Sequence, residues 1–247
     1  MPAGWRRSAR QTAQGFVLNG TKIFVTNGGI CGTILVFAVS DSDPAQPGVF
    51  IVKTNPGLHV GEIEDLCGMR ANPVASLFFE DCAIPADHCL GTLGQGLKIG
   101  LTALDTGRIG VAAQALGLAQ AAFEESVSYA RARQQFNKPI SRFQTIQNYL
   151  ADMAVQIDAS RLLLYRAAEV KDSGRPFSAE AAMAKLHCST TARMVTDLAV
   201  QIHGGYGYSK EYDVERYFRD AKVTEIYEGT SEIQRMVIAR HILTRPT

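Results

Sequence analysis

Residues 97–133 contain no proline, and no other feature of this chain restricts its fold so strongly. Without a residue that removes a helical N–H, such a run can form one helix of roughly 35 residues, about 50 Å long. A helix of that length must bury a stripe along its whole course, so it needs partners of similar length. The sequence supplies them. Residues 141–171 place Ile146, Leu150, Met153, Ile157 and Leu164 along one helical face, with Pro139 before them and Gly174 and Pro176 after. A third helix is expected from Ser178 to about Ile202, stopped by the glycine-rich segment 203–208, and a fourth from Ser231. Long helices joined by short breaks predict an antiparallel four-helix bundle over residues 93–247. Gly100, Gly107, Gly110 and Gly117 each weaken the first helix, which implies close packing or ligand approach at those points.

Upstream the texture differs. Over residues 15–92, short apolar runs alternate with glycine, proline and polar clusters, as in a small barrel or sandwich. Phe16-Val17-Leu18 and Ile23-Phe24-Val25 flank Asn19-Gly20, a pair that tolerates positive φ and predicts a two-residue hairpin. Residues 34–39 and 49–52 read as strands around the turn-rich 41–48, and Leu77-Phe78-Phe79 as another that Pro85 ends. The expected class is therefore α+β, a partial β-barrel or sandwich domain followed by the bundle, with residues 1–14 as an irregular start.

Composition narrows the function classes. A net charge of +1 at pH 7 offers no basic surface for nucleic acid or an anionic membrane. Cys31, Cys67, Cys82, Cys89 and Cys188 are odd in number and lack C-x-x-C spacing, which argues against structural zinc and a disulfide framework and for a reducing compartment. The histidines form no ligand pattern, so no metal is expected, and Cys188 reads as a small core residue. No apolar run approaches the ~20 residues needed to span a bilayer. The first ten residues are basic and acid-free, faintly like a transit peptide, but without an amphipathic stretch they read as a ragged or truncated start.

The residue with most chemical promise is Glu228, in Tyr227-Glu228-Gly229-Thr230-Ser231. Ser231 and Gln234 have capping-box spacing ahead of Ile233, Met236 and Val237, so Glu228 should project from a turn just outside a helix N-terminus. By itself such a glutamate is usually a solvated loop residue.

Context changes that reading. Asn19-Gly20-Thr21-Lys22, Leu104-Asp105-Thr106-Gly107-Arg108, Arg131-Ala132-Arg133-Gln134-Gln135-Phe136 and Phe143-Gln144-Thr145-Ile146-Gln147 recur in order, followed by Gln201-Ile202-His203-Gly204-Gly205, Tyr217-Phe218-Arg219-Asp220-Ala221 and residues 226–234. Together they resemble the acyl-CoA dehydrogenases, most closely the short-chain, butyryl-CoA type members, over residues 15–243. The resemblance implies FAD held between a β-domain and a four-helix bundle, a homotetramer that shares FAD contacts, and an electron-transferring flavoprotein as acceptor. It implies the cytoplasm of a bacterium or the mitochondrial matrix of a eukaryote. Family members also carry an N-terminal helical domain and an opening part of the β-domain, so the chain is expected to be a fragment or the product of a truncated or mis-started gene, and its first ten residues resemble nothing in the family.

The chemistry implied is α,β-dehydrogenation of an acyl-CoA thioester to the trans-2-enoyl-CoA. A thioester α-proton is too weakly acidic for an ordinary carboxylate of pKa about 4.3, so the base must be desolvated and the enolate oxygen hydrogen-bonded. By resemblance Glu228 is that base, its own amide and a flavin hydroxyl bind the thioester oxygen, and flavin N5 takes the β-hydride. Some relatives place the base on the long first helix, just before an arginine; here that position is Gly107, before Arg108, and glycine cannot abstract a proton. Asp105, Arg108 and Gly229 match substrate-binding positions. Phe24, Val25 and Thr26 match the strand against the isoalloxazine, often with Trp in place of Phe24. Arg133, Phe136 and Gln144 match residues that reach a neighbouring subunit's FAD, with Asn137 where glycine is commoner. Gln201, Gly204 and Gly205 match a loop over its adenosine end, and Thr230 and Glu232 match further FAD contacts. Short straight-chain acyl groups are expected, with short branched ones as runner-up. The competing readings are a non-catalytic homologue that acts as an assembly partner through its bundle, and a generic helical interaction protein.

Overall fold

The computed structural model describes residues 7–43 and 45–244, with Arg7 described by its backbone. They fall into two compact units, one ending at Ala103 and one from Leu104 onward that also takes in Cys67–Met69.

The first unit is built on one six-stranded sheet: β1 (Arg7–Thr12), β2 (Gly15–Thr26), β3 (Thr33–Ser40), β4 (Pro47–Lys53), β5 (Leu58–Ile63) and β6 (Val74–Pro85), in the order β4-β3-β1-β2-β6-β5. Only β1 and β3 pair in parallel. Its core gathers Phe16, Leu18, Val36, Ala38, Phe50, Val52, Leu77, Phe79, Cys82 and Ile84. Phe16 meets Phe50 edge-on at 4.9 Å. Burying the Phe50 ring completely contributes about 2–3 kcal/mol.

Three expectations need correction. Asn19-Gly20 is not a hairpin: β2 runs straight through it. The register shifts there, with Leu18 opposite Cys82 but Gly20 opposite Phe79, so β6 carries an extra residue. Asp81 is that residue, at φ 46°; its N–H donates to Asn19 Oδ1 at 2.8 Å, and Asn19 Nδ2 donates to Asp81 Oδ1 at 3.2 Å. The hairpin comes earlier, where Ala13 and Gln14 join Thr12 to Gly15. Residues 7–12 therefore form β1 rather than an irregular start; residues 1–6 lie outside the described part. The edge strand β5 was not anticipated, because its largely exposed LHVGEI has no buried face to impose alternation.

The second unit is helical: α1 (Gly96–Ala132), whose first turns count with the sheet unit, then α2 (Gln144–Asp172), α3 (Ser178–His203), α4 (Val214–Val223) and α5 (Ser231–Thr244). The expected four helices are thus five. α4 escaped prediction because VERYFRDAKV has few apolar residues and no side-chain cap, burying only Val214, Asp220 and Ala221. α3 is the central element, packed by α2, α4 and α5 and buried on most of its circumference through Ala181, Ala184, Cys188, Ala192 and Val195. Between α1 and α2, the two-residue strands β7 (Gln134–Gln135) and β8 (Lys138–Pro139) form a tight hairpin. Phe136 and Asn137 occupy its turn at φ 51° and 61°, so Asn137 does what glycine would.

Of the four helix glycines, Gly100 lies against the Phe37 ring and Gly107 against Glu228, while a β-carbon on Gly110 or Gly117 would meet nothing within 4 Å. Nothing in the structure explains those last two.

Candidate active site

The turn between α4 and α5 is held in an unfavourable backbone conformation. Glu228 has φ 54°, left-handed for a residue with a long side chain, and Gly229 follows at φ 90°. Such a conformation costs on the order of 1–3 kcal/mol and persists only where the surroundings over-determine it. They do. Ser231 N–H donates to Glu225 O at 3.0 Å and Tyr227 N–H to Val223 O at 3.1 Å. The Gly229 carbonyl accepts from Gln234 Nε2 and from Lys185 Nζ, each at 2.8 Å, and Gln234 Nε2 also lies 3.3 Å from Glu228 O. This replaces the expected capping box. Gln234 reaches back with its amide nitrogen, which needs a carbonyl rather than an N–H, and Ser231 Oγ has no partner.

The Glu228 carboxylate lies against α1. A β-carbon built on Gly107 would sit 2.5 Å from Glu228 Oε2 and 3.0 Å from its Cδ, so the missing side chain is the space the carboxylate uses. Next to Gly107, Arg108 is 4% exposed and donates through NH1 to Asp105 Oδ1 at 2.7 Å; Asp105 also accepts from Ser178 Oγ at 2.9 Å. Buried this far, the pair is not the solvent-screened i,i+3 contact worth a few tenths of a kcal/mol. Burial pushes the Glu228 carboxyl above the ordinary range, against the opposing pull of the Arg108 and Lys185 cations. Burial likewise lowers Lys185 to about 8. The Tyr227 hydroxyl donates to Gln114 Oε1. The Glu228 backbone N–H finds no acceptor among the described residues. A desolvated carboxylate, a free N–H on the same residue and two nearby cations can abstract a weakly acidic proton and receive the charge it leaves behind.

Glu228, Gly229, Asp105 and Arg108 are therefore brought together as the sequence implied. Thr230 precedes α5 and Glu232 lies in its first turn, where Glu232 is held below the usual carboxylate range by its own backbone N–H and the Thr230 hydroxyl. Arg133, Gly204 and Gly205 converge elsewhere in the helical unit, on an open cleft of about 560 Å³ also lined by Tyr129, His203 and Glu211. His203 stacks on Tyr129 at 4.1 Å and donates from Nδ1 to Ala199 O at 2.8 Å, leaving a buried Nε2 without a partner. Phe136, Gln144 and Gln201 do not line this cleft; Phe136 projects from its hairpin tip at 85% exposure. In the sheet unit, Phe24, Val25 and Thr26 lie at and after the second register shift, where β2 carries the extra residue and Phe24 takes φ 53° and is 63% exposed. Sequence reasoning missed Lys185 and Gln234. The available signal was a lone lysine among Ala181, Ala182, Ala184, Cys188 and Ser189, a helical surface too small-sided to be solvated.

Comparison with known proteins identifies the family. Residues 5–82 match the family model described as acyl-CoA dehydrogenase, middle domain, and residues 94–243 match acyl-CoA dehydrogenase, C-terminal domain. The first match reaches into the opening residues that had seemed unlike the family. The chain is 49% identical to an acryloyl-CoA reductase (NADH) of Anaerotignum propionicum over 93% of its own length and 59% of that protein's. It is 49% identical to the mitochondrial short-chain specific acyl-CoA dehydrogenase of Rattus norvegicus over 96% of its length and 58% of that protein's. The butyryl-CoA dehydrogenase structure from Megasphaera elsdenii superposes with a TM-score of 0.95 at 48% identity, over 97% of this chain and 64% of that one. The chain thus spans about three fifths of the length of the curated relatives it matches. Two adjoining family models and a shared fold make the chain a member of the acyl-CoA dehydrogenase family.

Proposed function

We propose that the protein carrying this chain oxidises short-chain acyl-CoA thioesters to trans-2-enoyl-CoA products, with Glu228 as the base that removes the α-proton. One observation carries the reading: a half-buried carboxylate of raised basicity lies against a glycine on α1, on a residue whose own N–H is unpaired. Removing the α-proton places negative charge on the thioester oxygen, and the Glu228 N–H is a fixed donor available to it. Arg108 and Lys185 offset the charge that builds up nearby. Asp105 holds the Arg108 guanidinium so that its charge is fixed in place. Short acyl groups are favoured by the identity to short-chain relatives.

The family is FAD-dependent, and the residues present suit that cofactor. The cleft beside Arg133 offers a planar bidentate cation for a pyrophosphate, side-chain-free backbone at Gly204 and Gly205, and an unpartnered buried nitrogen at His203, against which the Glu211 carboxylate is the one unfavourable lining charge. The exposed Phe24, followed by Val25 and Thr26, offers an apolar wall and a hydroxyl for the ring system. When bound, FAD supplies the acceptor for the β-hydride. Assembly as a homotetramer is consistent with the exposed apolar side chains on α2 (Val155, Leu162, Tyr165) and α5 (Met236, Leu243). The electron acceptor would be an electron-transferring flavoprotein.

The test is flavin absorbance in the purified protein, followed by butyryl-CoA-dependent reduction of an artificial electron acceptor. Glu228→Gln should keep the flavin and lose at least ~10²-fold in kcat, the scale of a removed general base. A flavin-loaded Glu228→Gln protein that turns over normally would refute the assignment.

A further inference from the structure

Lys185 is the least expected residue of this site. It sits mid-helix on α3, 0% exposed, in a run of alanines, and its ammonium donates to the Gly229 carbonyl at 2.8 Å. A lysine that gives up its hydration to bond one backbone carbonyl is poorly compensated, since charged groups are seldom buried without a counter-ion in direct contact. No carboxylate lies within ion-pair distance of it among the described residues. A structural lysine could be replaced there by a small apolar side chain of the kind that surrounds it. Its target is specific: the carbonyl immediately after Glu228, at the point where the chain leaves the left-handed conformation.

We propose that Lys185 is a positioning residue for the base: with Gln234 it clamps the Gly229 carbonyl and so keeps Glu228 in the left-handed turn that presents its carboxylate to Gly107. The clamp has two donors of different character. Gln234, also 0% exposed, supplies a neutral amide at the same distance, and its Oε1 has no partner. Lys185 adds a positive charge near the carboxylate. The charged groups facing that ammonium are Arg108 from α1 and Glu225, Glu228 and Glu232 from the turn and the start of α5. Because a nearby cation favours the ionised carboxylate, Lys185 offsets part of the desolvation that burial imposes on Glu228. Neutral Gln234 cannot do this. The two donors therefore share one mechanical role, and only Lys185 has the electrostatic one.

This inference rests on the reading of Glu228 as the base, and the experiment separates the two. Lys185→Met, Lys185→Gln and Gln234→Leu would be compared with the parent protein and with Glu228→Gln. Measurements are flavin content, kcat and KM from pH 6 to 9, and amide hydrogen exchange over residues 226–231. Lys185→Met should lower kcat at least ~10-fold with KM changed less than about threefold, a loss of alignment rather than of substrate binding. Exchange in the turn should quicken at least ~10-fold. The kcat deficit should be about threefold or more larger at pH 6 than at pH 9, because loss of the cation moves Glu228 ionisation to higher pH and because Lys185, lowered to about 8, has given up most of its charge in the parent by pH 9. Gln234→Leu should quicken exchange without that pH dependence. Lys185→Gln, which keeps a donor but not the charge, should show the pH dependence with near-parental exchange, and it serves if the Met variant does not fold. Parental exchange and a parental pH profile in both Lys185 variants would overturn the proposal while leaving Glu228 as the base. Normal turnover in Glu228→Gln removes the base reading, and the exchange data still decide the clamp.

Discussion

Replacing Glu228 should make the protein more stable while destroying what it does. Two separable penalties meet at this residue. The left-handed backbone at φ 54° costs a side-chain-bearing residue about 1–2 kcal/mol relative to glycine. Glycine returns roughly half of that gain through its greater unfolded-state freedom. Glu228→Gly should therefore gain about 0.5–1 kcal/mol from the backbone, or about 1–4 °C in Tm for a chain of this size. The second penalty is electrostatic. Burial raises the Glu228 carboxyl in the native state, so ionisation opposes folding. Glu228→Gln keeps the strain and removes only the charge. Its advantage should be fully present above the raised native pKa, shrink as the pH falls, and vanish below the unfolded value near about 4.3. Thermal unfolding followed by circular dichroism at pH 8, 6, 5 and 4 separates the two contributions, since the glycine variant keeps its backbone gain at every pH. If Glu228→Gln is less stable than the parent at pH 8, and the gap widens with rising pH, the carboxylate is stabilised by Arg108 and Lys185 and the desolvation argument fails.

Two further outcomes follow from single contacts. Gly107→Ala puts a methyl group 2.5 Å from Glu228 Oε2, so the carboxylate must swing away; kcat should fall about 10-fold or more with little change in KM and no loss of Tm, by steady-state kinetics and thermal melts. Cys188 is fully buried, donates to Ser160 O at 3.6 Å and is pushed up to about 11 by burial, whereas Cys67 is exposed. Iodoacetamide at pH 8 should label Cys67 in the native protein and reach Cys188 only after unfolding, as read by peptide mass spectrometry.

What the sequence revealed and what it hid divide along the range of the deciding interaction. α1 and α3 were legible to within a residue or two because an uninterrupted, proline-free pattern settles a long helix locally. Asn19-Gly20 misled because a type I′ turn and a β-bulge ask for the same backbone freedom. The choice was made by Asp81, 62 residues away, whose N–H needs the Asn19 amide oxygen. α4 was hidden because its amphipathic stretch is only ten residues long and starts without a side-chain cap, and its docking rests on contacts such as the Met69 N–H donating to Asp220 at 2.6 Å. At the site, Glu228, Asp105 and Arg108 came from resemblance, which encodes tertiary proximity that periodicity cannot. Lys185 was invisible because the Gly229 carbonyl that it bonds is 44 residues distant.

Two local anomalies beside the site, Gly107 and Glu228, are complementary. Gly107 weakens the middle of a long helix, by about 1 kcal/mol relative to alanine. Glu228 holds a strained turn that glycine would occupy more easily. Exchanging the preferences, alanine on the helix and glycine in the turn, would satisfy both local rules and improve stability at each place. It would also fill the space beside the carboxylate and remove the carboxylate itself. Both local violations are accounted for by the proposed reading, in which α1 leaves space for a carboxylate directed at it. The bonds from Lys185 and Gln234 to the Gly229 carbonyl are the third part of that arrangement, added to the Tyr227 and Ser231 N–H bonds that also hold the turn.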